Sequence, residues 1–373
     1  MRILTLGRLP ANEIGGLPLY TANLAEALTA LGHECHVVQP GAALSKVHYP
    51  FPTHAAEPTL WPAQGRLRTF RQAFSAARAL TQLVDELQPD LIHVQYGGAM
   101  DLAVLPRLAR LGPPLVVTAH CGRAWAHLAR APRVAAKILR SAMRVLVISE
   151  DQRELFQSAG LCADKLHVIG SLVEQDFFEP TGARQSVSGR PRKGLYLGRI
   201  APEKGLETVI TALASLAPDE RPQFQAVGPV SDGYAAHLRL LVGDLELQDS
   251  FQLCPPVEGV RTRRDLLDQA DFLLHPTHSD VKPLVVIEAM ARALPVLASS
   301  LPGTIELLAG TGAHFTPGDA AGLAEQLSRL AADPNFLGPK QGLAGQRLSL
   351  AYTPAAAAQE TAQHFEACAG VLA

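Results

Sequence analysis

The sequence predicts an α/β protein built from two doubly wound parallel-sheet domains. Strand and helix patterns alternate along the whole chain, several apolar runs are continuous and end in polar residues, and the composition shifts once, near the middle. Continuous apolar runs are typical of parallel strands that are covered on both faces. The 373 residues are enough for two domains of ordinary size, each with its own core.

The N-terminal end predicts a strand, a helix and a second strand. The strands cover residues 2–6 and 34–38, and the helix runs from about residue 19 to residue 31. Gly15 and Gly16 precede the helix, and paired glycines allow a backbone to approach a ligand closely because no Cβ is in the way. A plain turn also uses adjacent glycines, so this pair alone does not establish a ligand site.

Two more buried strands are predicted at residues 89–98 and 114–122, where apolar runs end in polar residues. Ligand sites in parallel sheets form beyond the carboxyl ends of the strands. His120 stands at such an end and is therefore a candidate site residue. A single histidine at this position is as often structural as functional.

A segment rich in Gly, Ser, Arg and Pro, with no apolar periodicity, covers residues 181–194. This composition predicts an interdomain linker at residues 183–193. The N-terminal domain then covers residues 1–182 and the C-terminal domain residues 194–350. The remaining residues, 351–373, predict a final helix.

The C-terminal domain opens with an apolar strand that ends at Gly198. Arg199 follows, and Lys204 with Gly205 opens the next helix. Two basic side chains on either side of a strand-to-helix loop would both reach an anion that lies over the helix N-terminus. The pair fits a diphosphate, although basic residues near a helix start are often only solvated.

Residues 275–299 carry two acids, Asp280 and Glu288. A loop with Lys282 and Pro283 lies between them, and an apolar helical pattern follows. A carboxylate accepts hydrogen bonds from neighbouring sugar hydroxyls, and a helix N-terminus offers N–H groups to a phosphate. The segment therefore predicts a clamp for both ends of a nucleotide sugar. The alternative is that Glu288 only adds charge to an amphipathic helix.

Together, residues 194–213 and 275–299 resemble the retaining glycosyltransferases of the GT-B fold, in particular glycosyltransferase family four. The C-terminal half of that family reads G-R-x-x-x-x-K-G and then E-x7-E, and the resemblance covers nearly the whole chain. It implies two Rossmann-like domains that face each other across a cleft. It also implies that the N-terminal domain binds the acceptor, that the C-terminal domain binds the nucleotide sugar, and that the last helix crosses back to the N-terminal domain.

The resemblance also implies roles for single residues. Arg199 and Lys204 are expected to contact the pyrophosphate of the donor. Glu288 is expected to hold the ribose hydroxyls, and Asp280 to contact the transferred sugar. His120 matches the histidine that lies near the donor sugar.

The glycine pair Gly15 and Gly16 is implied to lie against the donor phosphates and the acceptor, and the base is expected to be bound by loops that include the one after Gly228. The predicted catalytic residues are His120, Arg199, Lys204 and Asp280. The predicted donor-binding residues are Gly15, Gly16, Gly198, Arg199, Lys204, Gly228, Lys282, Leu284, Val285 and Glu288.

Several positions depart from the pattern of that family. Asp280 stands where the family usually has Glu, so its carboxylate is one methylene closer to the backbone. Lys282 and Pro283 stand where an aromatic residue and glycine are usual, and proline has no backbone N–H to donate. Ala293 replaces a usual glycine. These changes leave the predicted phosphate and ribose contacts intact and affect the predicted contacts to the transferred sugar.

The sequence contains no D-x-D motif, and its five cysteines show no C-x-x-C spacing. The other main glycosyltransferase fold uses D-x-D to hold a divalent metal on the diphosphate. We therefore expect transfer without a metal or cofactor, with Arg199, Lys204 and a helix dipole neutralising the leaving group. The formal net charge of −2 and the absence of a long apolar run or signal peptide pattern predict a cytoplasmic enzyme.

Residues 123–144 are rich in arginine and predict a basic amphipathic helix interrupted at Pro132. Such a segment can rest on the inner face of an anionic membrane or receive a phosphate-bearing acceptor. An ordinary solvated helix packed on the sheet is the favoured alternative. A nucleic-acid partner is not expected, because the chain is slightly acidic and no aromatic motif accompanies the basic residues.

The sequence thus predicts a retaining transferase that moves a hexose-type sugar from a nucleoside diphosphate donor, with UDP favoured over GDP, to an acceptor hydroxyl. The acceptor is a glycan, a lipid-linked sugar or a small molecule. One alternative is a sugar-nucleotide epimerase on the same fold, which would form an epimer without any acceptor. The other is a non-catalytic partner subunit that binds the nucleotide sugar without turnover.

Overall fold

The computed structural model describes residues 1–10, 16–40, 48–56, 78–96, 99–120, 132–180, 193–333 and 335–370. The chain forms two compact units. The first consists of Met1–Leu172 together with Pro354–Ala373, and the second of Val173–Thr353. Each unit is built on one parallel sheet.

The sheet of the first unit has seven strands in the order β3-β2-β1-β4-β5-β6-β7, and all its neighbours pair in parallel. Helices connect most of the strands. The strands are β1 (Arg2–Leu6), β2 (Glu34–Pro40), β3 (Thr53–Ala56), β4 (Leu91–Tyr96), β5 (Leu115–Ala119), β6 (Arg144–Val147) and β7 (Leu166–Val168). The helices are Gly16–Ala30, residues 78–87, Ala99–Leu108, Pro132–Leu139, Glu150–Ser158 and Pro354–Ala369.

The sheet of the second unit has six strands in the order β10-β9-β8-β11-β12-β13, again all parallel. The strands are β8 (Lys193–Leu197), β9 (Gln223–Val227), β10 (Phe251–Cys254), β11 (Phe272–His275), β12 (Val296–Ser299) and β13 (Ala313–Phe315). The helices are Leu206–Ala214, Asp232–Asp244, Val260–Gln269, Leu284–Ala291, Pro302–Leu308, Ala320–Ala332 and Pro339–Ser349.

Successive apolar residues of the strands pack into different cores, because neighbouring side chains of a strand point to opposite faces. Ile3 belongs to one core of the first unit and Leu4 to the other. In the second unit Leu273 and Leu274 divide in the same way. Both faces of each sheet are therefore covered, which confirms the predicted doubly wound α/β class.

The helix Pro354–Ala369 follows the second unit in sequence but belongs to the first. Phe365 is fully buried, and its ring centroid lies 4.8 Å from that of His93 on β4. The Glu360 carboxylate accepts a hydrogen bond from the backbone N–H of Gly170 at 2.8 Å. A backbone hydrogen bond of 3.1 Å from Val173 N–H to Tyr352 O joins the two ends of the second unit.

The first unit ends at Leu172, before the predicted domain boundary at residue 182, and residues 173–180 belong to the second unit. Arginine side chains hold this segment there. Arg292 donates to the backbone oxygens of Phe177 and Glu179 at 3.2 and 2.7 Å, and Arg264 donates to Asp176 O at 3.1 Å. Most of the predicted linker lies outside the described residues, which resume at residue 193.

No helix within the described residues is long and apolar enough to cross a membrane. Of the predicted basic segment 123–144, the part up to residue 131 lies outside the described ranges. The rest contains the helix Pro132–Leu139, on which Leu139 is buried and Val134 is exposed. That helix therefore packs with one side on the first unit and exposes the other.

Candidate functional site

Two glycines bring the loops after β8 and β9 into contact at the carboxyl edge of the second sheet. Gly198 and Gly228 have φ angles of +148° and +155°. A Cβ on Gly228 would lie 1.9 Å from the backbone oxygen of Gly198, a distance that no side chain tolerates. Only glycine therefore fits here. The two predicted donor-binding glycines are neighbours in the structure, at the edge where parallel sheets form ligand sites.

A third glycine brings the loop after β8 to the loop after β11. Gly205 has a φ of +70°, and a Cβ there would lie 2.2 Å from the backbone oxygen of Pro276. The backbone oxygen of Glu203 accepts hydrogen bonds from His278 N–H at 2.9 Å and from the Thr277 hydroxyl at 3.2 Å. These contacts fix the residue after Glu203, Lys204, next to the loop that carries Asp280.

Lys204 and Asp280 form an ion pair, with 2.8 Å between Lys204 Nζ and Asp280 Oδ2. His275 Nε2 lies 3.5 Å from the same oxygen. Burial alone would raise the pKa of Asp280, but His275 and then Lys204 more than offset it and hold that pKa well below its usual range. Two residues that the sequence predicts at the pyrophosphate and at the sugar thus touch each other.

Arg199 is at the surface, directly after Gly198. Its Nη2 atom lies 2.6 Å from Glu203 Oε1, and both side chains are largely exposed. Such an exposed pair contributes little to stability and can exchange partners. The guanidinium is therefore accessible to an anion from solvent at the same edge of the sheet as Gly198.

The helix Leu284–Ala291 begins directly after Pro283, which makes no side-chain cap. Leu284 and Val285, two predicted donor-binding residues, are its first residues. The first N–H groups of a helix have no partner within the helix, and they carry the positive end of its dipole. The structure therefore places both residues where their backbone could bind a phosphate.

Glu288 lies in the second turn of this helix and is buried. Its Oε1 atom accepts a hydrogen bond from Arg263 Nη1 at 2.5 Å. Burial raises the pKa of Glu288 to about 7, the charge of Arg263 opposes this rise, and the charge of Glu174 adds to it. This carboxylate, which the sequence predicts at the ribose, therefore titrates near neutral pH.

Arg263 is a site residue that the sequence reasoning missed. It lies on the helix Val260–Gln269, four residues before Leu267, the buried residue of that helix. Residues four apart lie on the same helix face. An arginine on the buried face of an amphipathic helix is a signal that could have marked it, because such a charge requires a partner.

Lys282 is engaged away from the pair of Lys204 and Asp280. Its Nζ atom lies 3.0 Å from Glu306 Oε1 and 5.5 Å from the ring centroid of Tyr352. The side chain is only 3% exposed. A donor contact by this ammonium, as predicted from the sequence, would require it to leave Glu306.

The remaining predicted residues belong to the first unit. His120 follows β5, and its Nε2 donates a hydrogen bond to Gln95 Oε1. Its ring centroid lies 4.4 Å from that of Tyr20, on the helix that Gly16 begins. Burial lowers the pKa of His120 to about 3, so the imidazole is neutral and its Nδ1 can accept a proton or a hydrogen bond.

Gly16 is exposed at the start of that helix, whereas Gly15 lies outside the described residues. The structure thus brings His120 to the helix that follows the predicted glycine loop. Across the described parts of both units, no group of three His, Cys, Asp or Glu side chains is arranged to hold a metal ion.

Two family models match the chain. The model described as Glycosyltransferase Family 4 matches residues 14–177, and the model described as Glycosyl transferases group 1 matches residues 182–340. Between them, these matches cover most of both units.

Curated relatives are similar over part of their length. A D-inositol 3-phosphate glycosyltransferase from Streptomyces avermitilis is 30% identical over 306 residues, which are 74% of this chain and 65% of the relative. One from Streptomyces scabiei is 31% identical, over 57% of this chain and 53% of the relative. Sulfoquinovosyl transferase SQD2 from Arabidopsis thaliana is 25% identical, over 67% of this chain and 51% of the relative. The chain therefore spans between about half and two thirds of the length of these relatives.

Solved structures share the whole fold. Sucrose-phosphate synthase from Thermosynechococcus elongatus superposes with a TM-score of 0.83 at 21% identity, covering 99% of both chains. The Anabaena protein HepE, solved in complex with UDP and glucose, gives a TM-score of 0.79 at 21% identity, covering 98% of this chain and 99% of the other.

Proposed function

Since this chain belongs to glycosyltransferase family 4 and has the two parallel-sheet units of the GT-B fold, we propose that it is a retaining glycosyltransferase that uses a nucleoside diphosphate sugar. In the proposed reaction the acceptor hydroxyl oxygen forms a bond to the anomeric carbon, and the bond from that carbon to the diphosphate breaks. The hydroxyl proton passes to the leaving diphosphate. The new bond forms on the face that the diphosphate leaves, so the configuration is retained.

The observation that carries this proposal is the pair of Lys204 and Asp280, 2.8 Å apart at the carboxyl edge of the second sheet. Both side chains are mostly buried, so they interact in surroundings where charge is poorly screened. A diphosphate offers Lys204 more negative charge than one carboxylate does. We propose that the donor takes over the ammonium and that Asp280 turns to the hydroxyls of the sugar.

The phosphates are proposed to lie between Lys204, Arg199 and the first turn of the helix Leu284–Ala291. These groups are positive in the free protein, so they need little rearrangement when negative charge develops on the leaving oxygen. Such preorganised electrostatic stabilisation is worth roughly 3–4 kcal/mol for a single donor group in enzymes that have been measured. No metal or cofactor is part of the proposed mechanism.

Glu288 is proposed to accept hydrogen bonds from the ribose hydroxyls. Its position in the second turn of the same helix places it about one turn beyond the N–H groups assigned to the phosphates. The proposed catalytic set therefore comprises Arg199, Lys204 and Asp280 in the second unit, and His120 in the first. His120 is proposed to contact the donor sugar through its neutral imidazole.

For the donor we propose a hexose-type sugar carried by UDP rather than GDP, in line with HepE, which was solved in complex with UDP and glucose. The acceptor is proposed to be a hydroxyl of a glycan, a lipid-linked sugar or a small molecule. The Streptomyces relatives are named as glycosyltransferases of D-inositol 3-phosphate, a phosphorylated small molecule. A cytoplasmic location, and contact of residues 123–144 with a membrane surface, stay predictions.

Incubation with UDP-hexoses and GDP-hexoses in the presence of a chelator tests the proposal. The purified protein is offered a panel of sugar, lipid-linked and small-molecule acceptors, and the anomeric configuration of any product is read from its proton coupling constant. We expect transfer with retained configuration, undiminished by the chelator. An epimer formed without any acceptor would identify the epimerase instead, and nucleotide binding without turnover across the panel would identify a binding subunit.

A further inference from the structure

Arg263 lies between two carboxylates in the second unit. Its Nη1 atom donates to Glu288 Oε1 at 2.5 Å, and its Nη2 atom donates to both oxygens of Glu174 at 2.7 and 2.6 Å. All three side chains are at least four-fifths buried. The guanidinium carbon lies over the ring of Phe177, 5.1 Å from the ring centroid. One guanidinium cation is thus paired with two buried carboxylates.

This arrangement treats the two oxygens of Glu288 differently. Oε1 is held by Arg263, whereas no hydrogen bond to Oε2 is formed within the described part of the chain. Because the guanidinium fork is rigid, the position of Oε1 also fixes the plane of the carboxylate. Oε2 is then the oxygen that remains available to a hydroxyl group.

Glu174 competes with Glu288 for Arg263. It lies at the start of the segment that leads out of the first unit, and it takes two of the three hydrogen bonds that Arg263 makes to carboxylates. The charge of Arg263 lowers the pKa of Glu288, and the charge of Glu174 raises it. The balance between these two residues decides how strongly Glu288 holds its negative charge.

We propose that Arg263 is a positioning residue for ribose recognition, which fixes Oε1 of Glu288 so that Oε2 faces the ribose hydroxyls of the nucleotide. In this arrangement the negative charge of Glu174 offsets part of the positive charge of Arg263, so Arg263 stabilises the charged form of Glu288 less than it would alone. The inference deepens the proposed function and rests on it, because it assumes that a nucleotide binds at Glu288. Arg263 itself is not proposed to touch the substrate.

The test measures the dissociation constant of UDP and GDP by calorimetry between pH 5.5 and 8.5. The variants are Arg263→Met, Arg263→Lys and Glu174→Gln. Arg264→Gln is the matched control, because Arg264 lies on the same helix and contacts the same segment through Asp176 O and Glu179, but it does not contact Glu288. The nucleotide that binds is also compared with its 2′-deoxy analogue.

Binding should weaken as pH falls, because protonation of Glu288 removes an acceptor. Arg263→Met should move the midpoint of this loss to higher pH by about one unit or more, since it removes the charge that opposes protonation. Glu174→Gln should move the midpoint to lower pH. Arg263→Lys should keep a midpoint near that of the wild type but bind less tightly, because the charge remains and the fork is lost.

Discrimination against the 2′-deoxy nucleotide provides a second readout, which a purely structural role would not change. We expect it to fall in Arg263→Met and to be unaltered in Arg264→Gln. If Arg263→Met does not fold, the pH midpoint of nucleotide binding in Glu174→Gln alone tests the inference.

Three results would overturn the inference while leaving the proposed function intact. The first is an unchanged pH midpoint and unchanged discrimination in folded Arg263→Met. The second is a midpoint in Glu174→Gln that moves to higher pH or does not move, and the third is equal effects of Arg263→Met and Arg264→Gln. Failure of the wild-type protein to bind any nucleotide would overturn the inference and the proposed function together.

Discussion

At the scale of single residues, the contact between Lys204 and Asp280 pairs two opposite charges at the proposed donor site. In the free protein each neutralises the other at 2.8 Å, so neither is left as an unpaired charge in a partly buried site. In the proposed binding mode a diphosphate takes the place of Asp280 beside Lys204, so the lysine stays paired, and Asp280 gains the sugar hydroxyls as hydrogen-bond partners.

Lys204→Ala should reduce turnover about 100- to 1,000-fold, because it removes a preorganised positive charge from the leaving oxygen. Transfer is measured at saturating donor, and unfolding is followed by calorimetry. Lys165→Ala is the matched control, because the Lys165 ammonium is also hydrogen-bonded, to the backbone oxygens of Arg140 and Ala142, but lies in the first unit. Unchanged turnover in Lys204→Ala would remove this lysine from the mechanism.

Asp280 should contribute stability that depends on acid pH. Its folded pKa lies below its usual value of 3.8, so this contribution is complete above about pH 4 and is lost as pH falls further. Asp280→Asn should therefore lower the free energy of unfolding at pH 6 and have a smaller effect at pH 3. Denaturant titrations at both pH values measure the difference, with the exposed Asp219→Asn as control. A penalty for Asp280→Asn that is equal at both pH values would contradict this account.

At the scale of secondary-structure elements, close backbone contacts hold the site together. The loop after β9 touches the loop after β8 at Gly228, and the helix that begins after Gly205 starts against Pro276. The helix Leu284–Ala291 ends in a different way, because Ala293 adopts a φ of +53° where the family usually has glycine. An L-residue in this left-handed region costs roughly 1–2 kcal/mol.

Gly228→Ala should destabilise the second unit by at least about 2 kcal/mol, because the added Cβ meets Gly198 O and because φ is +155°. Gly243→Ala provides the comparison. A Cβ on Gly243, in the helix Asp232–Asp244, would meet no atom within 4 Å, and the change should stabilise the protein by up to about 1 kcal/mol. Equal free energies of unfolding for the two variants would show that the loop after β8 moves aside.

The elements differ in how well the sequence predicts them. β1 begins and ends as predicted, and β5 lies inside the predicted residues 114–122, because continuous buried strands leave an unbroken apolar run. The motif spacing places Lys204, Asp280 and Glu288 in one domain. Contacts of Arg263 with Glu174, and of Lys282 with Glu306, could not be predicted. They join side chains that are distant in sequence, and they depend on how each helix is rotated against the sheet.

At the scale of the whole molecule, the last helix stabilises the unit in which the chain began. Phe365 is fully buried there beside His93 of β4. Phe365→Ala should lower the free energy of unfolding of the first unit by about 3–5 kcal/mol. In calorimetry of Phe365→Ala, the transition of the first unit should move to lower temperature and that of the second unit should stay unchanged. The exposed Gln363→Ala should leave both transitions in place. A shift of both transitions in Phe365→Ala would show that the units unfold together.

The return of the last helix means that the second unit is an insertion within the first. The chain leaves the first unit once and re-enters it once. The backbone hydrogen bond between Val173 and Tyr352 brings the two ends of the insertion together. A segment with adjoining ends can be excised without stretching the remaining chain. Residues 173–353 should therefore be separable as a unit, and on the proposed function its two ends are the sites at which one donor-binding unit could be exchanged for another.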